Sequence, residues 1–339
     1  MVSLDTVRAS NLNLKKLGPG LVAVFVGGTS GIGETTAREF VRHADRPRVY
    51  LVGRNEARAS QIIEELKKLN PDGKIDFLKA DLELLRNVDE VCEDIKKKEE
   101  KINLLFLSPE SSESNIELPN QETTEGLDTK FNLHYYSRMR FIVNLLPLLS
   151  AGANSNPAFS RVVSILSGGH EGKLNLEDLA LKNTFSLQNC ATHAITMNSL
   201  TLDRLATAHP NISFVHAYPG FVKTSLGRSL GTIGSAAFKG LMYLVTPLAV
   251  PFGESGERNL YAATSSQYPP KSAGDSEDAE VGSDGVRGSG AYLLHWTGKA
   301  NQNQELFDGF KAQGWGEKVW DHTLDVFEKV CGKEGPGKY

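Results

Sequence analysis

Apolar residues along this chain alternate between two periodicities. Short, mostly apolar runs occupy residues 21–26, 48–52, 74–78, 102–107, 161–166 and 212–217. Runs of that length, with little polar alternation, predict strands buried on both faces of a parallel sheet. Between them apolar positions recur at helical spacing, beginning at Glu34 and continuing over 56–69, within 84–98, over 124–149 and over 187–208. The second of these segments stops at Asn70, Pro71, Asp72 and Gly73, and the fourth at the polar stretch 151–157. Strands alternating with helices imply right-handed crossovers and an α/β fold with a doubly wound parallel sheet of Rossmann type. After Pro219 and Gly220 the pattern changes. Residues 226–252 are rich in Gly, Ala, Leu and Pro, and 271–290 are polar and of low complexity. Residues 292–296 then predict a last short strand and 316–330 a final helix.

Composition narrows the picture. With 339 residues, of which 40% are hydrophobic, the chain can bury a large core as one domain. A net charge of −4, without basic runs interleaved with aromatics, argues against nucleic-acid binding. Cys92, Cys190 and Cys331 are distant and odd in number, so neither a disulfide framework nor a metal cluster is expected. Asp5, Arg8, Lys15 and Lys16 interrupt the first twenty residues, which argues against a secretory signal, and no run of 18 apolar residues exists. A soluble, cytoplasmic protein is the expectation.

The most specific feature is where the first strand runs into Gly27, Gly28, Thr29, Ser30, Gly31, Ile32 and Gly33, with a helix following. Glycines let the turn tighten and let backbone N–H groups approach a ligand at the helix N-terminus, where a pyrophosphate fits the unpaired donors. The spacing of Gly27, Gly31 and Gly33 resembles that of the short-chain dehydrogenase/reductase family, although Val26 stands where most members carry threonine. At the end of the second strand Arg54 and Asn55 replace the acidic residue that would select NAD, so NADP(H) is the expected cofactor. The resemblance further implies that Asp81 and Leu82 meet the adenine. Thr224, in the segment opened by Pro219 and Gly220, would hold the carboxamide. The resemblance covers about residues 20–225.

The resemblance also sets the domain plan: an arm (1–20), a dinucleotide-binding core (21–225), a substrate lid (226–270), a mobile exposed loop (271–290), and a tail (291–339) completing the core. Phe238, Leu241, Met242 and Leu244 would form the apolar face of the lid. Shallow membrane contact near Lys239 is the alternative, though the lid is favoured.

The expected chemistry is incomplete. Family members pair a serine with a Tyr-x-x-x-Lys helix and an asparagine on the preceding long helix. Ser167 and Asn132 match two of these positions. Counting back from Leu205 and Ala206 puts Ala191 at the tyrosine and Ile195 at the lysine, and no Tyr-x-x-x-Lys occurs between Ser167 and Pro219. In the fourth strand Leu107, Ser108, Pro109 and Glu110 replace the family's Asn-Asn-Ala-Gly. A methyl and a butyl group cannot donate a proton. His170, three residues past Ser167, and Tyr136, one turn beyond Asn132, are the candidate substitutes. His193 lies on another face of its helix from Ala191, which favours simple packing. The segments around His134 to Arg138, Ser167 to His170, His193 to Asn198 and Glu254 to Arg258 are similar to those of a divergent fungal group of this family. Its members are often found in secondary-metabolite pathways, and they lack the tyrosine and lysine.

Three readings remain open. The first is an NADP(H)-dependent oxidoreductase acting on a hydrophobic small molecule. The second reuses the fold for a non-redox reaction such as cyclisation, aldol-type chemistry or isomerisation. The third is a non-catalytic NADP-binding protein. A homodimer is compatible with all three.

Overall fold

A computed structural model describes residues 1–110, 121–222 and 249–332. Seven parallel strands form one sheet: β1 (Val22–Val26), β2 (Arg48–Gly53), β3 (Lys74–Lys79), β4 (Leu104–Leu107), β5 (Arg161–Ile165), β6 (Ser213–Ala217) and β7 (Ala291–Leu294). Their order is β3-β2-β1-β4-β5-β6-β7. The order reverses between β1 and β4, which places a ligand crevice at their carboxyl ends. β1, β4, β5, β6 and β7 are buried along their whole length, as unbroken apolar runs require. β3 is an edge strand and leaves Lys74, Asp76 and Lys79 exposed.

Two helical layers cover the sheet. One face carries α1 (Leu4–Leu12), α2 (Gly31–His43), α3 (Glu56–Leu69) and a later helix, α8 (Phe252–Thr264). The other carries α4 (Leu85–Lys98), α5 (Thr129–Phe131), α6 (Ser137–Ala153) and α7 (Leu187–Ala208). The closing helices α9 (Gln304–Ala312) and α10 (Trp315–Cys331) pack on that second face. Between α5 and α6 the chain makes one π-helical turn (Asn132–Tyr136), in which Ser137 N–H donates to Asn132 O.

Several expectations change. The long helix begins at Thr129 rather than 124, because Thr123 N–H and Leu127 O close a turn and Asp128 caps the helix by accepting from Phe131 N–H. The N-terminal arm is structural: Val7 and Leu14 enter the second core, and Arg8 and Asn11 bind Glu257 on α8. Phe252–Thr264, expected as part of the lid, is scaffold. A Cβ on Gly256 would sit 2.9 Å from Thr35 O of α2, so the two helices pack backbone to backbone. The loop 271–290 was expected to be solvent-exposed, but only part of it is: residues 271–278 and 285–287 are exposed, and the rest is buried or half-buried. Ala279, Glu280, Ser283 and Ser289 are buried, and Ser283 N–H donates to Ala291 O of β7. Polar composition misled here because the loop's polar groups find protein partners: Ser283 Oγ donates to Asp203 on α7, and Glu280 N–H to Gln267 O. The lid residues Phe238, Lys239, Leu241, Met242 and Leu244, and Thr224, lie outside the described residues. Among the described residues no helix is long and apolar enough to cross a membrane.

Candidate active site

The cradle begins where β1 ends. Gly27 has φ +81°, and a Cβ there would meet Ser108 O at 2.6 Å. A Cβ on Gly33 would fall 2.4 Å from Gly27 O and 2.6 Å from Ser108 Oγ. Only glycine lets the loop fold onto β4 this closely. Gly31 also has positive φ, at +57°. Ser30 precedes α2 in an extended conformation and makes no side-chain cap. The helix's first N–H groups therefore keep no side-chain partner, the arrangement an anionic pyrophosphate requires. Thr29 is buried against the end of β2, near Gly53, and Ile32 packs into the core. Glu34, in the first turn, would repel a phosphate if unpaired. Arg38 and Arg58 both bind its Oε1, at 2.9 and 2.7 Å.

Arg54 leaves the end of β2 and reaches Glu83 Oε1 at 2.9 Å, with Asp81 Oδ1 at 3.8 Å. Glu83 was not singled out in the sequence, yet it holds the guanidinium at this corner. Asn55 caps α3, its Oδ1 accepting from Arg58 N–H at 2.9 Å. Leu82 turns its side chain into the core, which leaves only its backbone to face a base.

On the other side of the crevice, Ser167 is half-buried just past β5 and is fixed by a directional chain. Its N–H donates to Nε2 of the fully buried His216 at 3.3 Å. Nδ1 must then carry the proton, and it donates to Ser199 Oγ at 2.7 Å. Ser199 Oγ–H donates to Glu171 Oε1 at 2.6 Å, and the same oxygen accepts from Gly169 N–H at 2.9 Å. Both ends of the Ser167–Gly169 turn are therefore tied to one carboxylate and one imidazole. Burial, with the charges of Arg138 and His170, pulls the His216 pKa down to about 3, so the ring is neutral. His170 is exposed, and its ring stands edge-on to Tyr218 at 4.8 Å between centroids. Tyr218, His295 and Trp296 continue an aromatic wall, with Trp296 against Gly220. The sequence reading missed this wall, which joins β6 to the loop after β7.

Two candidates do not enter the cleft. Tyr136 is fully buried, and its hydroxyl hydrogen-bonds His322 Nε2 on α10 at 2.7 Å. Burial pushes its pKa well above the usual phenol value. A helical offset from Asn132 could not show that α10 covers this face. Asn132 is also fully buried. Its Nδ2 donates to Glu83 O at 2.8 Å, so its amide braces the loop after β3 rather than Ser167. A buried amide takes the nearest carbonyl, here on the neighbouring loop. His193 is packed as expected, with Nε2 accepting from Asn175 N–H at 3.0 Å. Ala191 is exposed and Ile195 half-buried, so both border open space on α7.

The family model described as short chain dehydrogenase matches residues 21–168. "Oxidoreductase AN1596" of Emericella nidulans is 44% identical, covering 97% of this chain and 99% of its own length. "Short-chain dehydrogenase/reductase SAT2" of Stachybotrys chartarum is 30% identical, with 98% and 99% covered. Among solved structures, L-sorbose reductase of Gluconobacter frateurii, complexed with NADPH and L-sorbose, superposes with TM-score 0.56 at 17% identity. That match covers 84% of this chain and 98% of the other.

Proposed function

The chain belongs to the short-chain dehydrogenase/reductase family, and on that premise we propose an NADP(H)-dependent oxidoreductase acting on a hydrophobic small molecule. Its substrate carries a ketone, imine or activated alkene and belongs to fungal secondary metabolism, and the protein works in the cytoplasm. The observation that carries this reading is the glycine cradle at the start of α2, with Arg54 at the corner where a 2′-phosphate would lie. The solved NADPH complex of the related fold agrees with that choice of cofactor. When bound, the dinucleotide supplies the hydride.

The chain's own residues do the rest. Ser167 offers its hydroxyl to the acceptor oxygen, and the chain through His216, Ser199 and Glu171 holds the turn that presents it. The aromatic wall of Tyr218, His295 and Trp296 suits an apolar substrate.

The test is incubation with NADPH and a panel of hydrophobic carbonyl, imine and enone compounds. Absorbance loss with a reduced product is expected. Ser167→Ala should lower turnover by about 10–1,000-fold while leaving NADPH affinity unchanged. Ala191 and Ile195 at the usual acid positions favour one second reading, a non-redox reaction in the same cleft. A product of unchanged mass would select that reading, and tight NADPH binding with no product would leave a binding protein.

A further inference from the structure

The cleft bordered by Ala191 and Ile195 has an ion pair beside it. Glu110, three residues past β4, brings Oε1 within 3.3 Å of His134 Nε2. His134 is buried, whereas the Glu110 side chain stays 48% exposed. The pair is fastened to the face of α7 that faces the cleft. His134 O accepts from Asn198 Nδ2 at 2.9 Å, and Asn198 shares one side of the helix with Ala191 and Ile195. Asn198 Oδ1 in turn accepts from Ser164 Oγ, three residues before Ser167, at 3.0 Å.

Arg138 clamps the pair from behind. The guanidinium is fully buried, and its Nε donates to Leu133 O at 3.0 Å, on the residue before His134. Nη2 donates to Pro109 O at 3.1 Å, on the residue before Glu110. Nη1 reaches Ile165 O at 2.7 Å and Ser164 Oγ at 3.0 Å, ahead of Ser167. One side chain thus sets the distance between the carboxylate, the imidazole and the serine strand. Burial lowers its pKa only to about 10, so it stays charged at neutral pH. A buried cation with no hydrogen-bonded carboxylate is costly, which argues for a positioning role rather than a stabilising one. Desolvation works against the Glu110 charge. The hydrogen bond and charge of His134, with Arg138 and Lys130 further off, outweigh it and hold the carboxyl down to about 2.

Resting on the reductase reading above, we propose that His134, oriented by Glu110 and Arg138, donates the proton that the family's tyrosine supplies elsewhere. The protonated ring keeps Nε2–H on Glu110 and gives the proton of Nδ1 to the acceptor oxygen. The two electrons that reduce the carbonyl carbon arrive with the hydride from the reduced dinucleotide, and the C=O π pair moves to oxygen. The imidazole regains its proton from water. Among the described residues, the other charges around the pair are Lys130 on α5, Asp128 in the turn before it, and Arg138 on α6. The facing residue of α7, Asn198, is neutral.

The test has two arms. In the protein without cofactor, the ring resonances of His134 are titrated by NMR, assigned with His134→Asn, and compared between wild type and Glu110→Gln. Removing the carboxylate should move the midpoint and the alkaline limb of the turnover–pH profile together. In the kinetic arm, His134→Asn should lower kcat by about 100–10,000-fold, with NADPH affinity within about threefold of wild type. An unchanged midpoint in Glu110→Gln, or full turnover in His134→Asn, overturns the proposal. So does weaker NADPH binding in Glu110→Gln with the midpoint unmoved, which would make Glu110 a ribose ligand. Glu110→Gln is near-isosteric and half-exposed, so it keeps the proposal falsifiable if His134→Asn does not fold. A wild-type protein that never consumes NADPH fails the reductase reading itself, and this proposal with it. A normal reductase with an indifferent His134 fails only the proposal.

Discussion

The two ends of the crevice are built in opposite ways. At the β1–β3 end the working groups are backbone: glycines at 27, 31 and 33, a helix start without a side-chain cap, and one arginine at 54. They come from one short, continuous stretch of chain. At the β4–β6 end the working groups are side chains from distant segments, such as Glu110 with His134, or Ser167 with His216, Ser199 and Glu171. Anion binding needs only N–H groups and close approach, which any sequence with the right glycines can supply. Proton transfer needs particular side chains in contact, and those can be replaced one by one while the cleft persists.

The sharpest way to break this contrast is to put a side chain into the backbone half. Gly33→Ala places a Cβ 2.4 Å from Gly27 O and 2.6 Å from Ser108 Oγ; the serine hydroxyl can rotate away, but the Gly27 carbonyl is backbone and cannot. NADPH affinity should fall by at least about 100-fold, and unfolding should be easier by about 1–3 kcal/mol. Binding within tenfold of wild type, read by fluorescence titration, would show that the loop can yield and that the glycine is dispensable.

A second test asks whether the side-chain half depends on protonation. The folded pKa of His216, about 3, lies below its unfolded value, near 6.5, so the unfolded chain binds more protons between the two. Stability from this group is therefore complete above about pH 6.5 and lost as pH falls toward 3. The loss should amount to about 2–3 kcal/mol between roughly pH 6.5 and 4.5. His193, His209, His295 and His322 titrate in the same direction, so the measurement is the difference between wild type and His216→Gln in urea melts at several pH values. Parallel acid dependence in both proteins would remove His216 from the chain that fixes Ser167.

The same contrast explains what the sequence made legible. Each of the seven strands was readable: six are largely buried, mostly apolar runs, and β3 is an edge strand that still carries Ile75, Phe77 and Leu78. Helices 56–69 and 187–208 were placed to the residue, each closed by a residue that leaves helical geometry. Helices α1, α8 and α9 were not read as helices: α1 and α9 are short, and α8 sat inside the stretch taken for a lid. The resemblance put Asn132 near the cleft and a one-turn offset put Tyr136 beside it, but the π turn and the position of α10 decided where their side chains point. Phase within one helix says nothing about which neighbour covers it. A clue was present at Arg138, a charged residue inside an apolar helix, and at His216 inside an apolar strand, since such residues need buried partners.

A smaller effect sharpens the cofactor end. Arg54 is tied to Glu83 in the structure, and a 2′-phosphate would compete for the same fork. Arg54→Ala should weaken NADPH more than NADH, by about 1–3 kcal/mol. Equal losses for both nucleotides, measured by calorimetry, would make Arg54 a brace for Glu83 and Asp81 rather than the phosphate partner.

The smallest expected effect is the most telling about the catalytic half. Ala191→Tyr with Ile195→Lys would restore the family's pair on the face of α7 that borders the cleft. If proton supply had simply been lost, this double change would return it and turnover would rise steeply. We expect no rise. The ammonium would sit one turn from Asn198, whose amide holds His134 O, and would repel a protonated imidazole already faced by Arg138. The tyrosine would also fill space beside Ser167 that Ala191 leaves to substrate, and both new polar groups would lie against an apolar ligand. Steady-state kinetics with the native substrate decide the matter. A large gain would mean that the cleft is an ordinary one missing two residues, and that the long-range side-chain network around Arg138 only supports the fold. Turnover unchanged or reduced would mean that the second half of the crevice does its chemistry without the tyrosine and lysine.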